Sequence, residues 1–182
     1  MPKANNGKRF EANFGKSAVD QGLLYERFRD SNKFGFGQQS RFTPENPCDC
    51  FIHDGSALYY IELKSTIGTS ISFNQPPTEK GGTPMIKPHQ ILSLLERSKY
   101  PNVYCGLILD YADRVNKKGE VIEGGTYWVE INTFVGWCNS MTKKSINKDD
   151  AEVIGIKVSR TKKKVNYSYD ILKLLSDIKG GM

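Results

Sequence analysis

Apolar positions in the first part of the chain recur at helical spacing. Phe10, Phe14, Leu24 and Phe28 form one stripe and predict a helix over 8–29, with Glu11 one position past Phe10 on its flank. Gly15 and Gly22 interrupt that stripe, which close packing would explain. Residues 32–46 carry Gly35-Phe36-Gly37 and Thr43-Pro44 and read as a loop or irregular strand. Two β-rich runs follow, 47–53 and 57–66, joined by the hairpin dipeptide Asp54-Gly55. Residues 70–88 hold prolines, glycines and few apolar positions and predict a mobile loop. Lys87-Pro88-His89-Gln90 opens a helix with proline in its first turn, and Ile91, Leu94 and Leu95 form its buried face. Residues 102–110 read as a buried strand, 116–119 as a turn and 126–131 as another strand. A helix over 132–141 takes Asn132 as its cap. A capped turn at 146–150, a strand at 152–158, a basic turn at 160–164 and a helix over 169–178 complete the chain.

This order predicts an α/β fold, a small mixed sheet flanked by helices. At 182 residues the chain has the size of one domain, with residues 1–8 as a flexible arm. The apolar share, 38%, suffices for one core. The start has no apolar run of a secretory signal, and no stretch approaches the roughly 18 residues of a membrane span. The expected location is therefore the cytoplasm, of a bacterial cell or of a host cell if the gene is phage-borne. The four cysteines are then expected to be reduced. Cys48-x-Cys50 with His53 is a fragment of a zinc site, without a fourth ligand or the usual spacing. The formal charge of +6, from 26 Lys and Arg, favours an anionic partner, and nucleic acid is the commonest.

The candidate chemistry lies in the hairpin. Asp49, Glu62 and Lys64 stand as Asp-x12-Glu-x-Lys. Residues two apart in a strand share a face, so Tyr60, Glu62 and Lys64 point the same way. The turn brings Asp49 alongside on the neighbouring run. Two carboxylates and an ammonium at one point suit a divalent-metal phosphodiesterase: hard oxygens hold the ion, and the ammonium orients the attacking water. The plainer reading is a solvated ion pair on a strand face. Lys8, Arg9, Lys16, Lys33, Arg41, Lys80 and Lys87 are candidates to hold a phosphate backbone, which positions DNA without reading its sequence.

An acid on a first helix, then Asp, then Glu-x-Lys, then a helix bearing Gln resembles the PD-(D/E)xK nuclease superfamily. More narrowly, the chain resembles the RecU family of Holliday-junction resolvases. The matching residues are Gly7-Lys8-x-Phe10-Glu11, Asp49, Ile61-Glu62-Leu63-Lys64-Ser65, His89-Gln90-Ile91 and the closing Tyr169-Asp170-Ile171-Leu172. The resemblance implies a restriction-endonuclease-like core. It implies Mg²⁺, with Mn²⁺ as a substitute, held by Glu11, Asp49, Glu62 and the carbonyl of Leu63. Lys64 would contact the attacking water, and Gln90 would orient Lys64, the water or the phosphate. A homodimer would cut opposed strands of a four-way DNA junction in recombination and repair, with no small-molecule cofactor and no membrane. Two departures stand out. Cys48 replaces the family's threonine before the Asp, and the segment before Asp49 is shorter than the family's protrusion. A flap-cutting or restriction-type nuclease of the same superfamily, and a non-catalytic junction-binding accessory protein, remain alternatives.

Overall fold

The computed structural model describes residues 6–28 and 46–181. The loop expected at 32–46, with Lys33 and Arg41, lies almost wholly outside them, as does most of the N-terminal arm.

Helix α1 (Asn6–Asp20) is followed by strand β1 (Leu24–Arg27), then β2 (Cys50–His53), β3 (Leu58–Thr66) and β4 (Ser70–Ser72). Helix α2 (Pro88–Arg97) leads into β5 (Val103–Tyr111), the hairpin β6 (Arg114–Val115) and β7 (Val121–Ile122), and β8 (Gly125–Glu130). Helix α3 (Ile131–Ser140), β9 (Ser145–Asn147), α4 (Lys148–Ile154), β10 (Ile156–Lys157), β11 (Arg160–Lys162), β12 (Tyr167–Tyr169) and α5 (Ile171–Gly180) complete the chain. Six strands form one sheet in the order β1-β2-β3-β5-β8-β10. All its pairs are antiparallel except β3 with β5, where α2 makes the crossover that a parallel pair requires. The mixed sheet between helical layers matches the α/β expectation.

Alternation along β3 divides two cores. Tyr59, Ile61 and Leu63 pack with Phe10, Phe14 and Ala18 of α1 and with Ile171, Leu174 and Leu175 of α5. On the other face, Leu107 and Leu109 of β5 pack with Ile91 and Leu94 of α2 and Phe134 of α3, and Tyr60 lies against this cluster. Each strand of the parallel pair is thus covered on both sides.

Several elements differ from the sequence pattern. The first helix stops at Asp20, and Gly22 takes φ +77°, a left-handed conformation that turns the chain into β1. Leu24 and Phe28, read as part of the helical stripe, belong to and follow that strand. Gly15 admits the Tyr25 ring: a Cβ there would lie 2.6 Å from it, the close packing that its position implied. The cap of α3 is Glu130, which accepts from Thr133 N, and Asn132 lies inside the helix. Much of the expected strand at 152–158 is α4, because Asn147 and Asp150 form a reciprocal capping box that nucleates a helix before the alternation begins. The basic turn begins as β11, and Arg160 points inward to Asp110 and Asp113 at 3.3 and 3.0 Å. Within 70–88, β4 pairs with β9, and Ile71, Phe73 and Ile86 are buried. Among the described residues, no helix is long and apolar enough to cross a membrane.

Candidate active site

The hairpin pairing ends early on one side, and the site starts there. The β2–β3 ladder closes at Cys50 opposite Ile61. Leu63 lies two residues beyond, and its amide donates to Asp49 Oδ2 at 2.8 Å. A side-chain carboxylate thus takes the place of the missing ladder acceptor, which fixes Asp49 beside β3. Cys48, next to it, is buried and its Sγ donates to the carbonyl of Cys50 at 3.1 Å. Burial pushes its thiol pKa well above the ordinary value. Cys50 Sγ approaches the carbonyl of Ile61, and His53 Nδ1 accepts from Gly55 N. These three side chains do not converge as a zinc site. All four cysteines are free and buried.

Glu62 is fully buried, at 0% exposure, on the α2 face of β3. Its Oε1 accepts from Lys64 Nζ at 2.5 Å and from Gln90 Nε2. Gln90 sits in the first turn of α2, where its Oε1 accepts from Lys87 N at 2.9 Å. That bond fixes the amide so that its NH₂ faces Glu62. The carboxylate therefore lies at a helix N-terminus, whose partial positive charge favours an anion. Glu62 Oε2 is buried and has no hydrogen-bond partner. Burial drives the Glu62 pKa up to about 8; Lys64 opposes the rise and Asp49 adds to it. An unsatisfied carboxylate oxygen beside a second carboxylate is costly without a cation or a proton between them.

This donor set fits Mg²⁺. Such an ion keeps several waters and is commonly bound through one or two carboxylates, which here would be Asp49 and Glu62. Glu11 is not gathered with them. It lies on α1, which covers the opposite face of β3, and its carboxylate pairs with Arg27 of β1 at 2.5 Å. Among the described residues, no group of three or more His, Cys, Asp and Glu side chains assembles as a metal site.

No family model matches the chain. Sequence comparison finds the SPbeta prophage-derived uncharacterized protein YotM of Bacillus subtilis (strain 168), 36% identical over 190 residues, 98% of this chain and 89% of YotM. The chain belongs to the YotM family. Among solved structures, Archaeoglobus fulgidus Hjc, a Holliday junction resolvase from an archaeal hyperthermophile, aligns with a TM-score of 0.50 and 14% identity. The alignment covers 83% of this chain and 95% of Hjc. The likeness extends to the fold, and this YotM-family member has the restriction-endonuclease-like core expected of it.

The candidate phosphate-binding cations of this YotM-family chain are spread over two elements and one connection. Lys8, Arg9 and Lys16 are exposed on α1, where Arg9 donates to Asn6 at 2.7 Å and Lys16 pairs with Asp20 at 2.9 Å. Lys80 is exposed between β4 and α2. Lys87, the exposed cap residue of α2, gives its backbone amide to Gln90, whose side chain in turn reaches Glu62. Arg97 and Tyr100, not among the residues singled out from the sequence, lie at the other end of α2 next to Tyr60. The signal was present: Arg97 follows Gln90 by seven residues, two turns on the same helix face.

Proposed function

We propose that this protein is a Mg²⁺-dependent endonuclease that cuts branched DNA, with four-way junctions as its substrate. The observation that carries this reading is the Asp49–Glu62 carboxylate pair, with Glu62 held by Lys64 and Gln90 and its Oε2 unsatisfied. A surface ion pair would not be fully buried. The name of the structural neighbour, a Holliday junction resolvase, supports the choice of substrate, as does the RecU-like order of motifs. Net charge of +6 favours a polyanion.

Asp49, Glu62 and the Leu63 carbonyl would hold the ion, which supplies polarisation of the phosphoryl oxygen and acidification of water near neutral pH. The chain's own groups do the rest. Lys64 points its ammonium at the carboxylate cluster, where it orients the attacking water and offsets charge gathering on the phosphate. Gln90 holds Glu62 in its rotamer and presents an NH₂ to the same place. Lys87, at the α2 N-terminus, meets the DNA backbone. Glu11, paired with Arg27 on the far face, acts on this site only if that pair opens when DNA binds. A symmetric homodimer would place two such sites on a two-fold symmetric junction.

The test is cleavage of a labelled four-way junction and a matched linear duplex, in Mg²⁺ or EDTA, by wild type and Asp49→Asn. Paired nicking of the junction alone, lost in EDTA and in the variant, is the expected result. Equal cutting of both DNAs would reduce the protein to a general nuclease. Tight junction binding without cutting in Mg²⁺ or Mn²⁺ would overturn the enzymatic reading and leave an accessory binder.

A further inference from the structure

Tyr60 continues the face of β3 that carries Glu62 and Lys64, two residues or about 7 Å before Glu62. It is surrounded by aromatic and cationic groups that the nuclease reading does not use. Phe51, its register partner on β2, and Phe28 pack against one side, with the Phe28 ring nearly parallel to it at an interplanar angle of 11°. On another side, the Arg97 guanidinium lies 5.4 Å from the Tyr60 ring centroid. Arg97 is held there by its bonds to Ser93 O and Oγ at 3.0 and 2.7 Å. Between Tyr60, Arg97 and Tyr100 runs an open groove of about 390 Å³, and Glu96 also lines it. Tyr100 is 64% exposed.

We propose that this groove receives one unpaired nucleobase of the substrate, stacked on Tyr100 and the Tyr60–Arg97 pair, next to the phosphodiester at Asp49 and Glu62. The inference rests on the nuclease reading of that site. An exposed ring and a guanidinium plane are what a splayed-out base stacks on, and stacking tolerates any base because each has a π-face. The Glu96 carboxylate makes the groove a poor place for a phosphate, yet it can accept a hydrogen bond from a base amino group. The α2 helix sets the spacing: Gln90 touches Glu62, and Arg97 follows about 10 Å along the same helix. A base in the groove and a phosphate at the carboxylates are thus neighbours on one strand. A continuous duplex, with all its bases paired, cannot fill the groove, so the groove selects DNA with an unpaired nucleotide beside the cut.

The test measures binding, in EDTA so that no cutting occurs. Fluorescence anisotropy compares a duplex carrying one unpaired cytidine, the same duplex with an abasic insert, and the continuous duplex. The proteins are wild type, Tyr100→Ala and Tyr100→Phe; position 100 is exposed, so folding is preserved. Wild type is expected to prefer the unpaired cytidine over the other two DNAs by about tenfold or more, the scale of one base stacked on an aromatic ring. Tyr100→Ala should lose that preference with continuous-duplex binding unchanged, and Tyr100→Phe should keep it. Equal weakening on all three DNAs, or an intact preference in Tyr100→Ala, would overturn the stacking site. If wild type binds all three alike and still cuts junctions, the stacking site falls alone. If it binds no DNA, the nuclease reading falls with it.

Discussion

Glu62 is the residue at which structure and proposed chemistry pull in opposite directions. Its carboxylate is fully buried, one oxygen is unsatisfied, and burial and Asp49 raise its pKa to about 8 despite Lys64. A buried unpaired polar atom costs about 1–3 kcal/mol, and here either a bound cation or a proton shared with Asp49 relieves it. Glu62→Gln should therefore be no less stable than wild type in EDTA while losing DNA cleavage by at least about 10²-fold. Differential scanning fluorimetry supplies the second readout. Mg²⁺ should raise the melting temperature of wild type but not of Glu62→Gln; an equal rise in both would remove Glu62 from the metal site. Gln90 acts one step further out, by fixing the Glu62 carboxylate. Gln90→Ala should lower cleavage about 10- to 100-fold, the range for an outer-shell partner of a ligand, and should raise the Mg²⁺ concentration needed for half-maximal rate. The placement of Asp49, Glu62 and Lys64 was legible in the sequence because strand periodicity and a short turn bring them together without any long-range information. Glu11 was not legible in the same way. Its helical position is local, but its pairing with Arg27 depends on where the chain turns after α1.

That turn shows what periodicity misses at the scale of elements. Leu24 and Phe28 fit a helical stripe with Phe10 and Phe14, yet the helix stops at Asp20 and the chain reverses at Gly22. Residue 22 has φ +77° and nothing within 4 Å of where a Cβ would stand. Gly22→Ala should therefore cost only the left-handed backbone strain, roughly 1–2 kcal/mol, in denaturant unfolding. Gly106, in the middle of β5, has the opposite reason for being glycine. A Cβ there would lie 2.5 Å from the Val129 carbonyl oxygen and 2.7 Å from the Trp128 ring. Gly106→Ala should cost about 3 kcal/mol, because backbone of the neighbouring strand must move. A larger loss at Gly22 than at Gly106 would mean that the turn, not the sheet centre, limits stability. The same competition decides α4. Alternation over 152–158 resembles a strand, but the capping box of Asn147 and Asp150 commits the chain to helix first, and only Ile156–Lys157 remain as β10. By contrast β3, β5 and α2 were readable because in each the pattern, the length and the bounding turn or cap agree.

At the scale of the whole molecule, the hairpin that carries the site must be fixed to the remainder of the fold, and one charged group in its turn contributes to this. Asp54, in the β2–β3 turn, accepts from Ser56 N and Ala57 N at 2.9 Å each and from Tyr59 Oη at 2.9 Å. Lys179 of α5, the last helix, closes on its Oδ2 at 2.6 Å. The bond joins the candidate site's hairpin to the far end of the chain, a connection that sequence distance conceals. Burial alone would raise the Asp54 pKa, but Lys179 and the hydrogen bonds outweigh it and hold the carboxyl well below the usual carboxylate range. A group with a depressed folded pKa contributes stability that is complete above its unfolded value of about 3.9 and is lost as pH falls through the folded one. Wild type should thus lose stability progressively below about pH 4. Asp54→Asn should be less stable than wild type by about 2 kcal/mol at pH 7, a typical cost for hydrogen bonds to a charged group. Its deficit should shrink as the pH is lowered, because protonation removes from wild type what the amide has already removed from the variant. Urea unfolding at a series of pH values measures both curves. A deficit that stays constant down to the acid limit would show that Asp54 supports the hairpin by shape and neutral hydrogen bonds, and that its charge on Lys179 adds nothing.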